Sequence, residues 1–267
     1  MSKAAIISLS GGLDSTSLLL HLLSKGYKVF ALSFDYGQKH KIELTKAQNN
    51  INYLKNNGFN ITHKRVDLSS CNTLLSSSLT NNKINVPEGY YEEKNMISTV
   101  VPNRNSIFLS VLYGWALSIS KELNSNVICS LGVHSGDHAI YPDCRIEFYN
   151  KIIESFSIGN WGSDKISIYL PYIDFEKSDI LKDALTTTAL LNLDFDTIYK
   201  NTITSYNPDK NGISDGKSGS DIERILAFNK IGRIDPIEYK KSWTEVLEFA
   251  IKTEKEFTKK NVSSTLD

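Results

Sequence analysis

The chain has 267 residues, 40% of them apolar and 22% charged, and its 30 basic side chains balance 30 acidic ones. That length suits one large domain or a core with a small appendage, and the zero balance excludes a global field for polyanions while leaving room for a local basic site. No apolar run approaches the roughly 18–20 residues that span a bilayer, Met1-Ser2-Lys3 leads straight into strand-like sequence rather than a signal peptide, and three scattered cysteines (Cys71, Cys129 and Cys144) point to a reducing, cytoplasmic setting without a disulfide framework or a four-cysteine zinc site.

Strand and helix patterns alternate through the first two thirds of the chain. Ala4 to Leu9 is short and apolar and stops at a glycine pair; Leu18, Leu19, Leu22 and Leu23 then repeat at helical spacing. Val29 to Phe34 reads as a buried strand closed by Asp35-Tyr36-Gly37. A polar helix follows from Ile42 to Asn57 with Gly58 as its stop, and Ile61 to Val66 is a third strand. Residues 68–100, rich in Ser, Asn and Thr, read as a long loop with short structured pieces, a length more often functional than idle. Arg104 to Glu122 is an apolar helix, Asn126 to Leu131 a strand ending at Gly132, residues 143–159 a helix, and Ile166 to Leu170 a strand before Pro171. This alternation predicts an α/β fold, a doubly wound parallel sheet that binds ligands beyond the carboxyl ends of its strands. Ser10–Ser15, Asp35–His40 and Gly132–Asp143 each follow a strand and mark that edge. The core is set at residues 1–195. Residues 196–267 form a small C-terminal extension, with an aperiodic polar stretch at 205–221, helices near 221–230 and 236–258, and a frayed tail from Lys259 to Asp267.

The strongest chemical signal is Ser10-Gly11-Gly12-Leu13-Asp14-Ser15 between the first strand and the first helix. Glycines let the backbone approach an anion closely, and the free N–H groups and dipole of a helix starting near Asp14 attract phosphate. Ser10, Ser15 and Thr16 add hydroxyl donors, while Asp14 can cap the helix or help hold Mg²⁺. The bland alternative is a glycine turn with an Asp cap. The loop lacks the Gly-Lys-Ser/Thr ending of a Walker loop. It resembles instead the PP-loop of N-type ATP pyrophosphatases, in which that loop holds the pyrophosphate released when a substrate oxygen attacks the α-phosphate.

Further stretches narrow the resemblance. Phe34-Asp35-Tyr36-Gly37-Gln38-Lys39-His40, Val101-Pro102-Asn103-Arg104-Asn105, Gly132-Val133 through Asp137 to Tyr141-Pro142-Asp143-Cys144-Arg145, and Pro171 with Lys177 stand in the order and spacing of QueC-like 7-cyano-7-deazaguanine synthases. The resemblance covers about residues 3 to 210 and implies an adenine nucleotide alpha hydrolase-like fold. Those enzymes adenylate the carboxylate of 7-carboxy-7-deazaguanine with ATP and Mg²⁺, form an amide with ammonia, and dehydrate it to a nitrile with a second ATP. Carried over, the resemblance makes Asp14, Ser15, Arg104 and Lys177 the catalytic set. It makes Ser10, Gly11, Gly12, Thr16, Phe34, Tyr36, Gln38 and His40 further nucleotide contacts. Asp137 and Asp143 would accept hydrogen bonds from the guanine-like edge, and Tyr141 would stack on the ring, with Pro142 and Arg145 alongside. His134 and His138 stand where the family has other residues and receive no role; Cys144 reads as a packed thiol.

The family also carries zinc cysteines near its C-terminal part, and here Ser205, Ser214, Lys217 and Ser220 stand at those positions. Hydroxyls and an ammonium are poor zinc ligands, so no structural zinc is expected; the segment must gain its order from packing, a ligand or a partner, and should be protease-sensitive in the free protein. Asn103 replaces the usual Gly beside Arg104. These departures divide two readings of the same adenylation: an ordinary synthase that uses ammonia in tRNA modification, and a specialised relative. QueC-like proteins occur in anti-phage operons such as type IV CBASS, where the activated deazaguanine could pass to an amine on a partner protein. A third reading, from another class, is a non-catalytic nucleotide or deazapurine sensor. No nucleic acid or membrane partner is expected, and a homodimer is left open.

Overall fold

The computed structural model describes residues 3–264 apart from 82 and 93. Five parallel strands, β1 (Ala4–Ser8), β2 (Lys28–Asp35), β3 (Ile61–Asp67), β4 (Val127–Ser130) and β5 (Ile166–Ile168), form one sheet in the order β3-β2-β1-β4-β5. Ala4 pairs in register with Lys28 on one side and Val127 on the other. The central strands are apolar on both faces along most of their length, Ala4 to Ile7 and Val29 to Leu32, because both faces are covered. Ala4, Ile6, Phe30 and Leu32 pack against α3 (Arg104–Leu123) and α4 (Ile146–Gly159) through Leu109, Leu112, Ala116 and Tyr149. Ala5, Ile7, Val29 and Ala31 face α1 (Leu13–Ser24), α2 (Ile42–Asn56) and α5 (Lys177–Leu190) through Leu18, Leu22, Ile51, Leu54, Ile180 and Leu181. The doubly wound α/β architecture read from the strand–helix alternation is the one observed.

The sequence pattern missed α5. Its apolar residues Ile180, Leu181 and Ala184 make only a short stripe, and threonines at 186–188 are weak helix formers. A reciprocal capping box between Glu176 and Asp179 starts it. The next helices are α6 (Phe195–Lys200), α7 (Gly219–Lys230) and α8 (Trp243–Ser264). Helix α8 begins at Trp243 rather than near 236, because Ser242 and Glu245 bond each other's backbone N–H groups at 3.1 and 3.4 Å. It runs on through Ser264 where a frayed tail was expected; residues 265–267 lie outside the described residues. Phe195, Ile198, Tyr199 and Phe228 join the same apolar cluster as α1 and α5, while Ile222, Ile225, Val246 and Ala250 form a smaller one between α7 and α8.

The polar stretch at 205–221 is ordered by packing within the chain, which corrects the expectation of an exposed, protease-sensitive segment. Ser205 and Ser218 donate to the Asp221 carboxylate at 2.9 and 2.6 Å, and Ser218 also pairs with Ser220 at 3.1 Å. Ser214, Ser218, Ser220 and Asp221 are all buried. Asp221 starts α7 through a capping box with Ser218. Hydroxyls around a carboxylate replace the thiolate set of the family, and these residues do not fit a zinc ion: the one carboxylate already accepts the serine bonds, and Lys217 would bring a positive charge.

Candidate active site

The phosphate-loop candidate spans the carboxyl end of β1 and the start of α1. Gly11 has φ of 86°, and a Cβ there would stand 2.2 Å from the Glu43 carbonyl oxygen, so glycine is required twice over. Ser15 organises the turn: its hydroxyl accepts from the Ser10 N–H at 3.2 Å, pairs with the Ser10 hydroxyl at 3.0 Å and donates to the Gly12 carbonyl at 3.3 Å. Gly12 is the N-cap and no side chain caps the helix, so Asp14 does not play the cap role open to it from sequence. The first N–H groups of α1 keep their anion-binding capacity.

One cavity joins this loop to the ends of β2 and β4, the strands flanking β1, where the winding of the sheet reverses. Ser10, Gly12, Asp14, Ser15, Phe34, Tyr36, Gln38, His40, Arg104, Asp137 and Lys177 all line it. Gly11, Thr16, Tyr141, Pro142, Asp143 and Arg145 do not. Gly11 contributes backbone shape, and Thr16 is fully buried in α1. Tyr141 differs from the stacking platform expected: it is buried and its hydroxyl pairs with Thr99 at 2.6 Å and Tyr206 at 3.2 Å. Arg145 is spent on the His138 carbonyl, at 3.1 and 2.9 Å. Burial pushes the Asp143 carboxyl up.

Electrostatics concentrate on two cations. Lys177 is the first residue of α5 and is 5% exposed, with its ammonium 2.7 Å from Glu223 and 3.3 Å from Asp14. Burial alone would lower its pKa, but Asp14, Glu223 and Asp137 raise it, so it stays charged. Arg104 opens α3 after Asn103, whose φ of 57° is the left-handed backbone that Asn shares with Gly. Tyr36 and Glu43 lie within its field; burial drives the Tyr36 phenol to about 12 and the Glu43 carboxyl to about 7. Gln38 is engaged in shaping this wall, accepting from the Tyr36 N–H at 2.9 Å and donating to Glu43 at 2.7 Å. Asp137 accepts from the Tyr91 hydroxyl at 2.6 Å; burial raises its pKa, but His134, Lys177, that bond and Arg104 together bring it below the ordinary value.

Several site residues had no sequence signal. Tyr91 comes from the long 68–100 stretch, Tyr206 from the segment read for its missing cysteines, and Glu223 from α7. His134, left without a role above, is fully buried at the centre, with Nε2 3.9 Å from Asp14, 3.7 Å from Asp137 and 3.8 Å from Glu223. Among the described residues no group of three or more His, Cys, Asp and Glu could hold a metal alone. A magnesium ion that arrives with a triphosphate needs only one or two carboxylates, and Asp14 fits that demand, since its Oδ1 is buried without a partner.

Comparison with known proteins agrees with this geometry. The family described as Queuosine biosynthesis protein QueC matches residues 4–232. The 7-cyano-7-deazaguanine synthase of Alteromonas mediterranea is 44% identical over 90% of this chain and 100% of its own. The enzyme of the same name from Pseudoalteromonas translucida is 42% identical over the same shares. Among solved structures, an NMN synthetase from Francisella tularensis overlaps 92% of this chain and 82% of its own at 15% identity and a TM-score of 0.40, a distant likeness. With the matched region spanning the sheet, the phosphate loop and the cavity's C-terminal wall, the chain belongs to the QueC family.

Proposed function

We propose that the protein is an ATP-dependent carbon–nitrogen ligase acting on 7-carboxy-7-deazaguanine. The observation that carries this reading is the single cavity in which an anion-binding helix start, Arg104 and Lys177 meet Asp137 and a tyrosine wall. A substrate carboxylate oxygen attacks the α-phosphorus of ATP, the bond to the β-phosphate breaks, and pyrophosphate leaves. An amine nitrogen then attacks the acyl carbon, the carbon–oxygen bond to AMP breaks, and the nitrogen gives up a proton. The helix start and Lys177 receive the charge that builds on the departing pyrophosphate. Arg104, held charged among tyrosines, suits a carboxylate or phosphate oxygen. Magnesium, held through Asp14, would draw off further phosphate charge. Asp137, ionised and oriented by Tyr91, would accept from the donor edge of a guanine-like ring.

Ammonia is the acceptor that fits the names of the relatives. An amine on a partner protein is the second reading, and what supports it is the rebuilt C-terminal segment, which sends Tyr206 and Ser205 into the cavity wall while the serine–Asp221 cluster stands in for thiolates. Mass spectrometry of products formed from protein, ATP, Mg²⁺ and 7-carboxy-7-deazaguanine, with and without ammonia, tests both. Amide or nitrile dependent on ammonia supports the synthase. Adenylate that accumulates despite ammonia favours another amine. ATP left intact in both mixtures, with ATP bound, would favour a sensor and overturn the ligase reading.

A further inference from the structure

We propose that Glu223 is a positioning residue for the adenylation step, fixing the Lys177 ammonium beside the phosphate loop. The inference rests on the ligase reading and deepens it. Lysine carries a flexible four-carbon stem, so a buried ammonium is located by its partners rather than by its own rotamers. Here the partners are Glu223 at 2.7 Å and Asp14 at 3.3 Å. Asp14 belongs to the phosphate loop and needs its oxygens for that chemistry. Glu223 comes from α7, outside the sheet, and brings the closer carboxylate.

The position of Glu223 is itself determined. A Cβ on Gly136 would stand 2.4 Å from Glu223 Oε1 and 2.8 Å from the His134 ring, so glycine at 136 gives the carboxylate room where it lies. His134 closes the other side. Its Nδ1 accepts from the Gly136 N–H at 3.1 Å, and its Nε2 faces Glu223, Asp14 and Asp137 at 3.7 to 3.9 Å. Asp14, Asp137 and Glu223 thus converge on one ring, and Asp14 and Glu223 share the Lys177 ammonium. Without the Glu223 charge, Lys177 has only Asp14 and Asp137 to pair with. Pairing with Asp14 alone would draw both from the place where pyrophosphate charge develops. Because small misplacements of a charge act on the transition state more than on bound ATP, the loss falls on kcat rather than KM.

The isosteric variant Glu223→Gln fills the same space and removes the charge. Steady-state pyrophosphate release should show kcat lowered about tenfold or more, with KM for ATP within about threefold of wild type. In a Lys177→Met background the same change should cost less than about twofold further, since its effect acts through the ammonium. A kcat for Glu223→Gln within about twofold of wild type, or equal losses in the two backgrounds, overturns the proposal. Calorimetric titration of Mg·pyrophosphate, which carries the charge that Lys177 is argued to meet, into the four folded proteins gives a second cycle that needs no turnover. Coupling between the positions above about threefold supports the assignment, and additivity overturns it. A wild-type protein that binds ATP but releases no pyrophosphate would sink the ligase reading, and the binding cycle would still decide whether Glu223 locates Lys177.

Discussion

Asp14 and Ser15 differ in what they do, although both belong to the phosphate loop. Ser15 bonds the turn to itself, whereas Asp14 lines the cavity, keeps one oxygen buried without a partner and meets Lys177. Asp14→Ala should lower pyrophosphate release about 10²–10³-fold, as loss of a group that organises transition-state charge does, with a near wild-type melting temperature. Ser15→Ala should lose activity and also loosen the turn, visible as faster amide exchange at residues 10–15. Wild-type turnover in a folded Asp14→Ala protein would remove the loop from the mechanism. On the ring side, Asp137 lines the cavity and is held ionised, while Asp143 stands off the lining with its carboxyl pushed up by burial. Calorimetry should therefore show deazaguanine binding weakened more by Asp137→Ala than by Asp143→Ala, with ATP affinity less affected. The reverse order would move the ring to the Tyr141–Arg145 side.

At the scale of elements, the stretch before α7 is closed by hydrogen bonds around Asp221 rather than by a metal. Removing the shared acceptor leaves Ser205 and Ser218 without it, so Asp221→Ala should cost on the order of 1–3 kcal/mol, read from denaturant unfolding. The pH dependence has a definite sign. Burial raises the Asp221 pKa above its ordinary 3.8, and the bonds from Ser218, Ser214 and Ser205 only partly offset this. The folded state therefore holds the proton more tightly than the unfolded chain, and stability falls as pH rises from about 3.8 to the raised folded pKa. The stability advantage of wild type over Asp221→Asn should shrink across that window; an advantage that grows with pH would contradict the burial argument. Limited proteolysis should spare 205–221 in wild type and cut it in Asp221→Ala, and elemental analysis after mild chelation should find no stoichiometric zinc.

For the whole molecule, the extension packs on the helices of the sheet and supplies Ser205, Tyr206 and Ser220 to the cavity wall. Arg224 is fully buried, bonded to Asp235 at 2.6 and 2.9 Å, to Thr202 and Thr204 at 2.8 and 3.0 Å, and to the Tyr199 carbonyl at 3.3 Å. Removing one side of such a pair leaves a buried charge alone, so Arg224→Ala should destabilise by about 3–5 kcal/mol, seen as an earlier denaturant midpoint for the whole chain. An early transition confined to the extension would show that α7 does not share the stability of the sheet. No helix among the described residues is long and apolar enough to cross a membrane.

The sequence by itself determined the alternation of strands and helices up to β5 and the phosphate loop, because both are local. Apolar runs for two-faced strands, Gly11 in a left-handed turn and hydroxyls at a helix start are written in consecutive residues. It also showed, by counting side chains, that the zinc ligands of the family are gone. Only the tertiary structure decided which side chains meet. Tyr91 and Tyr206 reach the cavity from a long loop and a turn far apart in the chain, and Glu223 and His134 back it through Lys177, Asp14 and Asp137; no periodicity encodes such a meeting. The same holds for Tyr141 and Arg145, whose motif is plain in sequence while their hydrogen bonds turn them to Thr99, Tyr206 and His138. Spacing along the chain says which residues stand near a strand end; the packing of a buried polar group against its partners says where it points.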